Sequence, residues 1–345
     1  MKIYDDNGYV NIPDILLHEA IFIFIYGGRG TGKTYGSLKE MIVSDYKFMY
    51  LRRLAAQVDI VKKDDTQPFR VLNRDMHWNI EPYPINKYIS AFYDSDTNED
   101  GKVIPVGDAK GYLTSLSTFS NLRGLDLHDI KIMIEDEFIP ELNERPIKDE
   151  ASAVFNAYET VNRNRELYGE DPVKFLFLAN SNRIDNPLFM ELNLIRIAEK
   201  IRKSGNEWYY DKKRRMLLID LYKSKVSEEK SHTALYDLTR GTEFFNMAIK
   251  NTFINEERGR IQTKPIKEYR PVVTIGEITI YKHKSNQEFY VTGFRSGSPK
   301  EYGTGEKDRA RFRKDYLYLW TAYMKNKIVF EEYIYEIIFD KYFQR

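Results

Sequence analysis

The sequence predicts an α/β domain with a buried parallel sheet, followed by a smaller α+β domain. Three apolar runs predict the sheet, because each is short, apolar and bounded by turn residues or charges. They cover Ile21–Ile25, Ile130–Ile134 and Lys174–Ala179. The first run leads into glycines, the second into carboxylates and the third into amides. In an open α/β sheet such strand ends meet at one edge, where ligands bind.

The glycine-rich loop after the first strand carries the most specific pattern in the chain. Gly27, Gly32, Lys33 and Thr34 fit G-x-x-x-x-G-K-[ST] between a strand and a helix predicted from Lys33 to about Val43. Glycines let backbone N–H groups turn toward phosphate oxygens, the lysine supplies a positive charge, and the threonine hydroxyl can hold Mg²⁺. The sequence therefore predicts binding of a nucleoside triphosphate with Mg²⁺, and the family resemblance described below implies ATP. The predicted loop comprises Gly27, Gly28, Arg29, Gly30, Thr31, Gly32, Lys33 and Thr34.

The acidic strand end predicts the hydrolytic carboxylates. Glu135, Asp136 and Glu137 are consecutive, so two pairs are eligible for the Walker B motif. Hydrolytic P-loop ATPases of the additional-strand class end this strand in Asp-Glu, which favours Asp136 as the metal carboxylate and Glu137 as the base that activates water. We expect the neighbouring charge of Glu135 to raise the pKa of Glu137.

Two further candidates follow the Walker B strand. A helix predicted over Ala151–Tyr168 ends near Arg163 and Arg165, and an arginine there could reach the phosphates of a neighbouring subunit, although surface arginines are usually only solvated. The strand Lys174–Ala179 runs into Asn180, Ser181 and Asn182. An amide there could sense the γ-phosphate, or it could simply form a turn.

Composition narrows the class of protein. The 345 residues contain no cysteine, which excludes disulfides, thiolate metal sites and cysteine nucleophiles. No long apolar segment predicts a membrane span, so we expect a protein without a membrane partner. The net charge of +1 hides an acidic front half and a basic back half. That asymmetry favours a nucleic-acid partner for the back half, although a solvated lysine-rich surface would look the same.

The domain organisation is predicted from a change of pattern after residue 203. Residues 1–203 form the predicted P-loop ATPase domain, 204–230 a linker region and 231–345 a C-terminal domain. We expect helices over Leu188–Lys203, Ser231–Ile249 and Arg309–Lys327, and a β-hairpin over Val272–Phe294. Aromatic residues alternate with basic ones near the C-terminus, and such aromatics more often fill a core than bind nucleic acid.

Five segments together resemble the DNA-packaging (encapsidation) ATPases of small tailed phages with protein-primed genomes. They are GGRGTGKTY at 27–35, YLRR at 50–53, IMIEDEFI at 132–139, RNRE at 163–166 and FLFLANSNRIDNPLF at 175–189. They cover most of residues 20–190 in the family's order, whereas the back third matches only in outline. The resemblance implies a homo-oligomeric ring, a pentamer, that docks on the viral portal and drives double-stranded DNA into a preformed capsid in the cytoplasm of the infected host. A scaffold RNA is a further component that the resemblance leaves open.

The resemblance also implies roles for single residues. Lys33 and Thr34 contact phosphate and Mg²⁺, Asp136 holds the metal, and Glu137 is the base. Arg163 matches the family's trans-acting arginine finger and Asn180 its coupling motif, while Arg52 and Arg53 match a basic pair near the subunit interface. The family's C-terminal part resembles a ribonuclease-H-like nuclease that has lost activity, and we predict no nuclease activity here because no set of strand-end acids is evident.

Three alternatives remain at this point. A ring helicase, or a terminase-like translocase with an active nuclease, would share the ATPase core. A non-motor nucleotide switch would bind ATP to change an interface, but it would not need the base Glu137. A P-loop kinase is disfavoured because the sequence shows no lid for a phosphate acceptor and carries a hydrolytic glutamate.

Overall fold

The computed structural model describes residues 1–345 except 64, 141–143, 145–146, 181–183, 185, 231, 241–259, 296 and 344–345. The chain divides into two compact units. The first combines residues 1–182 with 206–251, and the second combines residues 183–205 with 252–345. Within the described residues, no helix is long and apolar enough to cross a membrane.

The first unit is built on one mixed sheet. Its described strands are β1 (Phe22–Tyr26), β2 (Phe48–Arg52), β3 (Ile80–Pro84), β4 (Ile89–Thr97), β5 (Val103–Ser115), β6 (Ile132–Asp136), β7 (Lys174–Ala179), β8 (Trp208–Asp211) and β9 (Met216–Asp220). They lie in the order β3-β4-β5-β2-β6-β7-β1-β9-β8. The central strands from β5 to β9 pair in parallel, whereas β3, β4 and β8 add antiparallel strands at the two sides.

The order of the central strands places the predicted motifs together. The strand β7 lies between β1, which leads into the glycine-rich loop, and β6, which ends in the acids. This inserted strand is the additional strand that the sequence predicted. Because β1, β6 and β7 are parallel, the loop after β1, the acids of β6 and Asn180 after β7 share the carboxyl edge of the sheet.

Helices connect the strands of the first unit, and other helices belong to the second unit. The described α-helices are α1 (Ile12–Leu16), α2 (Lys33–Val43), α3 (Ala55–Val61), α4 (Arg70–Met76), α5 (Glu150–Asn162), α6 (Pro187–Glu191), α7 (Ile195–Lys203), α8 (Lys225–Lys230), α9 (Ala234–Leu238), α10 (Glu306–Asp315), α11 (Leu317–Met324) and α12 (Tyr333–Phe343). In the first unit, Leu38 and Met41 of α2 join Ile25, Ile134 and Leu178 of the central strands in one buried apolar cluster. Burial on both faces explains why these strands read as continuous apolar runs.

The second unit contains a smaller sheet. Its described strands are β10 (Tyr269–Ile275), β11 (Ile278–His283), β12 (Phe289–Thr292), β13 (Glu301–Tyr302) and β14 (Ile328–Phe330), in the order β13-β10-β11-β12-β14. The strands β10, β11 and β12 form an antiparallel meander, and β13 and β14 add in parallel at its sides. Phe312, Tyr323, Phe330 and Phe339 contact one another or neighbouring rings in the interior, so these aromatics fill a core.

Several predicted elements match the structure and others are split. The helix after the loop spans Lys33–Val43 and the third strand spans Lys174–Ala179, as the sequence predicted. The helix predicted over 188–203 is instead α6 and α7, because Asn193 adopts a left-handed φ of 54° between them. The helix predicted over 309–327 is likewise two helices, which meet at Tyr316 with a φ of −123°.

Two other segments differ in part from the sequence-based expectation, and a third lies largely outside the described residues. The first half of the predicted acidic loop 94–101 is strand, because Asp94 and Asp96 pair with Val106 and Ile104. The hairpin predicted over 272–294 is confirmed but has three strands, since the chain already turns at Gly276, where φ is 52°. Most of the helix predicted over 231–249 lies outside the described residues, which show only α9 there.

The division of the chain differs from the predicted boundary. Residues 204–230 were expected to form a linker, but β8 and β9 lie within this range and β9 pairs in parallel with β1. Its apolar sequence Met216–Asp220 is fully buried beside the P-loop strand, which is why it belongs to the large sheet. Residues 183–205, which were assigned to the ATPase domain, instead belong to the second unit.

Candidate nucleotide-binding site

The glycine-rich loop has backbone conformations that require glycine. Gly27, Gly30 and Gly32 have φ values of 146°, 80° and 83°. A Cβ atom on Gly27 would also lie 2.8 Å from the Cβ atom of Leu221. The loop therefore turns sharply between β1 and α2, and Arg29 lies exposed at its tip. This geometry suits backbone N–H groups that surround an anion at the start of a helix.

Lys33 is held inside the loop. Its Nζ atom donates to the carbonyl oxygens of Gly27 at 3.3 Å and Gly28 at 2.8 Å, and to the Oγ1 atom of Thr31 at 3.0 Å. Thr31 in turn donates to the carbonyl of Gly28 at 3.2 Å. A buried ammonium group needs such partners to offset its lost hydration. Phosphate oxygens could replace these neutral carbonyls as stronger partners.

Asp136 is the carboxylate around which the metal ligands converge. Its Oδ1 atom accepts a 3.0 Å hydrogen bond from the Thr34 hydroxyl. Its Oδ2 atom accepts from the Tyr50 hydroxyl at 2.5 Å and from Nη1 of Arg52 at 3.0 Å. Hydroxyl and carboxylate oxygens are the ligands that Mg²⁺ prefers, so Thr34 and Asp136 fit the predicted metal site. Burial, reinforced by the charge of Asp136, raises the pKa of Tyr50, which therefore remains a donor.

Glu137 follows Asp136 in a strained conformation. Its φ is 65°, and its N–H donates to the carbonyl of Leu178 at 2.8 Å. Its carboxylate accepts hydrogen bonds from the backbone N–H of Asn180 at 3.3 Å and from the side-chain amide of Asn180. Burial and then the charge of Asp136 raise the pKa of Glu137, while the bonds from Asn180 oppose the rise. A glutamate of raised pKa is a stronger proton acceptor.

Glu135 does not act on Glu137 as the sequence suggested. Strand alternation turns its side chain away from Asp136, and it is fully buried. Burial, with the charge of Glu150 second, raises the pKa of Glu135 to about 8, while Arg53 lowers it. The raised pKa of Glu137 arises instead from its own burial and from Asp136.

The arginine pair after β2 is turned inward. Arg52 contacts Asp136, and the fully buried Arg53 forms ion pairs with Glu150 at 2.5 Å and Glu144 at 2.7 Å. Arg53 is therefore held inside the fold, whereas Arg52 is partly exposed, and the nearness of this pair to a subunit interface stays a prediction. Sequence reasoning missed Tyr50, although its position two residues before Arg52 on the same strand face was a usable signal.

Arg163 lies at the opposite edge of the sheet from the loop. The helix α5 begins beside the carboxyl end of β2, where Glu150 pairs with Arg53, and it ends where Asn162 accepts from the N–H of Val173 at 2.8 Å, just before β7. Arg163 is exposed and donates to the carbonyl of Leu125 at 2.7 Å. The length of β7 separates this amino edge from the carboxyl edge by about 17 Å. Arg165 is buried and serves the fold.

The structure thus brings together all predicted site residues except one. The loop, Asp136, Glu137 and Asn180 share the carboxyl edge, and Arg163 does not. Among the described residues, no group of three or more His, Cys, Asp or Glu side chains could hold a metal ion. Thr34 and Asp136 remain the candidate metal ligands at this edge.

A family model for podovirus DNA encapsidation proteins matches residues 4–292. The chain belongs to this family. The resemblance that the motifs indicated is thereby confirmed, and DNA packaging is the function of the family. The match covers the whole P-loop region and extends through β12 of the second unit.

Relatives and solved structures agree with this assignment. The chain is 26% identical over 267 residues to the DNA packaging protein of Bacillus phage phi29, covering 75% of this chain and 70% of that protein. It is 26% identical over 256 residues to the DNA packaging protein of Bacillus phage B103, covering 70% of this chain and 67% of that protein. Its fold is similar to that of the Phi-28 gp11 DNA packaging motor, with a TM-score of 0.61, 18% identity and 99% coverage of both chains. It is also similar to the bacteriophage Phi-29 genome packaging motor assembly, with a TM-score of 0.60, 21% identity and coverage of 97% and 98%.

Proposed function

We propose that this protein is an ATPase that translocates double-stranded genome DNA into a procapsid, working on the portal in the cytoplasm of the infected bacterial host. One observation supports the proposal: the glycine-rich loop, Asp136 and Glu137 converge at one edge of the sheet in a member of the DNA encapsidation family. A nucleotide switch needs the loop but no base of raised pKa. The arrangement of Glu137 therefore favours hydrolysis over simple binding.

The loop binds the triphosphate. Backbone N–H groups of residues 27–34 surround the phosphates, and Lys33 exchanges the carbonyls of Gly27 and Gly28 for phosphate oxygens. Thr34 and Asp136 would hold Mg²⁺, which supplies positive charge to the β- and γ-phosphates. Tyr50 and Arg52 fix the orientation of the Asp136 carboxylate through its second oxygen.

Glu137 accepts a proton from the water that attacks the γ-phosphate. Asn180 bonds both carboxylate oxygens of Glu137, so it sets the position of the base from the neighbouring strand. Loss of the γ-phosphate changes the surroundings of Glu137, and Asn180 passes that change to the chain that follows β7. The residues next in sequence, 181–183, lie outside the described part of the chain.

Arg163 acts on the nucleotide of a neighbouring copy. It cannot reach its own loop, because the full length of the central strands lies between them. A head-to-tail contact would bring the amino edge of one copy to the carboxyl edge of the next, and such heterologous contacts close into rings. We therefore propose a homo-oligomeric ring, a pentamer as in the family, with double-stranded DNA and the portal as partners and a scaffold RNA as a further candidate.

The decisive experiment measures ATP hydrolysis with and without double-stranded DNA while wild-type and Arg163→Ala subunits are mixed in varying ratio. A coupled ring gives DNA stimulation and a non-linear fall in rate as the variant fraction rises. A rate that is unaffected by DNA and falls linearly would contradict the proposal and favour a nucleotide switch. Cleavage of the DNA by the same preparation in Mg²⁺ or Mn²⁺ would favour a terminase-like nuclease.

A further inference from the structure

The strands β4 and β5 extend beyond the rest of the sheet as a ribbon. Phe48, the first residue of β2, pairs with Gly111 of β5. The residues of β4 from Tyr93 to Thr97 lie beyond this end of β2 and extend the ribbon by about 17 Å. The neighbouring strand β3 accompanies it only as far as the pair Ile80–Asp94. Asn79, just before β3, still exchanges hydrogen bonds with the backbone of Ser95, and beyond Ser95 the strands β4 and β5 pair only with each other among the described strands. We call residues 94–110 the ribbon.

The ribbon exposes apolar side chains that a surface strand would normally avoid. Val103, Ile104 and Val106 are 56%, 40% and 45% exposed. Two-stranded ribbons are marginally stable in water, so exposed valine and isoleucine there indicate a surface that is covered in use. Pro105 removes one N–H from the open edge, which disfavours pairing with another strand. A partner is therefore expected to contact the side chains of the ribbon.

Charge excludes nucleic acid as the partner of the ribbon. Its five carboxylates outnumber its two lysines, and Lys110 already pairs with Asp94 at 2.8 Å. Ile104 and Val106 stand directly opposite Asp96 and Asp94, so apolar and acidic groups share one face. Such a face would repel a phosphate backbone and suits a protein surface that carries lysine or arginine.

The ribbon projects from the same edge of the sheet as Arg163. Both lie at the amino ends of the parallel strands. The ribbon precedes Gly111, which pairs with the first residue of β2, and Arg163 follows Asn162, which bonds Val173 just before β7. The carboxyl edge of the same sheet carries exposed basic residues. Arg29 lies at the tip of the glycine-rich loop. Lys225 lies shortly after β9, where the N–H of Leu221 donates to the carbonyl of Tyr26 at the carboxyl end of β1. The acidic ribbon therefore has exposed side chains of opposite charge, Arg29 and Lys225, at the other edge of the same sheet.

We propose that the ribbon is a docking arm that contacts the carboxyl edge of a second copy of this chain, beside the loop that the first copy's Arg163 serves. The inference rests on the proposed function, since trans action by Arg163 requires these two edges to face each other. The arm extends beyond Arg163's edge, so it overlaps the neighbour and sets the register of the contact. Its acidic and apolar face lies on the region of Arg29 and Lys225.

A directional complementation experiment tests the arm. Lys33→Ala chains keep Arg163 but cannot use ATP, whereas Arg163→Ala chains keep a working loop but lack the arginine. When the two are mixed, hydrolysis is restored only where Arg163 of a Lys33→Ala chain contacts the loop of an Arg163→Ala chain. Ile104→Ser in the Lys33→Ala chain should reduce the restored rate by about tenfold, because it truncates an apolar contact of the arm that must dock. The same change in the Arg163→Ala chain should reduce it less. An equal loss in both arrangements, or no loss, would overturn the proposal.

Cross-linking gives a readout that does not depend on hydrolysis. The full chain has no cysteine, so Ile104→Cys in one copy and Lys225→Cys in another can be joined by a bismaleimide without background. Ile60→Cys, an exposed isoleucine on α3, is the matched control. We expect the Ile104→Cys pair to cross-link well above the control. Equal yields for the Ile104→Cys and Ile60→Cys pairs, or capture of the portal instead of a second copy, would refute the docking arm. Cross-linking above the control without restored hydrolysis in the mixing experiment would refute only the trans role of Arg163.

Discussion

The two edges of the large sheet are built differently. At the carboxyl edge, Lys33, Asp136 and Glu137 each have partners within the chain, and those partners fix their positions before any ligand binds. At the amino edge, Arg163 is exposed with a single carbonyl as its described hydrogen-bond acceptor. The contrast agrees with the proposal that one subunit holds a preorganised binding site and that Arg163 acts at the site of a neighbouring copy. Hydrolysis would then depend on assembly, while nucleotide binding would not.

The largest expected effect separates binding from catalysis. Arg163→Ala should lower the DNA-stimulated rate of hydrolysis by roughly 10³–10⁵, as for other arginine fingers, because the charge that stabilises the transferred phosphoryl group is lost. Nucleotide affinity of the isolated subunit, measured by calorimetry, should not change, since Arg163 is remote from its own loop. Arg240→Ala, at an exposed arginine of the same unit, is the control. A loss of affinity in the isolated Arg163→Ala subunit would contradict the separation of the two edges.

A change at the carboxyl edge should show the opposite dependence on assembly. Glu137→Gln keeps the shape of the side chain and one oxygen that can accept from Asn180, but it removes the carboxylate that accepts the proton, so hydrolysis should fall by roughly 10²–10⁴ in the assembled ring. ATP should still bind, and single-turnover measurements should show slow chemistry after normal binding. Glu159→Gln on α5 is the matched control. If Glu137→Gln were nearly as active as the wild type, another group would have to be the base.

Tyr50 offers a finer test of how the carboxyl edge is organised. Tyr50→Phe removes the 2.5 Å hydrogen bond to Oδ2 of Asp136 without changing the ring, which is completely buried in the core. Loss of an outer contact of this kind typically weakens metal affinity by about 10–100-fold. We expect a higher Mg²⁺ concentration at half-maximal hydrolysis and weaker Mg²⁺-dependent nucleotide binding, with binding in EDTA unchanged. Tyr46→Phe, at an exposed tyrosine, controls for the loss of a hydroxyl. If Tyr50→Phe left the Mg²⁺ requirement unchanged, the hydrogen bonds from Arg52 and Thr34 would suffice to orient Asp136.

The sequence predicted the carboxyl edge far better than the amino edge, and the reason is physical. Phosphate binding requires particular residue types at fixed spacing, so the loop, Asp136 and Glu137 could be predicted from local pattern, whereas Asn180 was singled out only by the family resemblance. Parallel strands with buried apolar runs then placed them together. Tyr50 was missed because a tyrosine in a buried strand looks like core, and only its register opposite Ile134 brings its hydroxyl to Asp136.

Pairing between distant segments was the main source of error. The strands β8 and β9 join the large sheet only through contact of Met216–Asp220 with β1, which no local signal indicates. The acidic segment after Tyr93 looked like a loop because aspartates disfavour strands, yet pairing with Val103–Val106 overrides that preference. The same pairing creates the ribbon, so its exposed apolar face could not have been recognised from the sequence.

The smallest expected effect concerns the stability of the amino edge. Burial lowers the pKa of His18. Its Nδ1 atom accepts a 3.1 Å hydrogen bond from the N–H of Ala20. The carbonyls of Leu16 and Ala20 nearby bind the ammonium group of Lys174. A histidine whose pKa is lower in the folded state takes up its proton first in the unfolded chain. Its contribution to stability is therefore present above the unfolded value of 6.5 and is lost as pH falls toward the folded value. His18→Gln should flatten the decline of the melting temperature between about pH 7.5 and 5.5, whereas His232→Gln, at an exposed histidine, should leave that slope as in the wild type. A slope that His18→Gln does not change would mean that protonation at this edge is not coupled to folding.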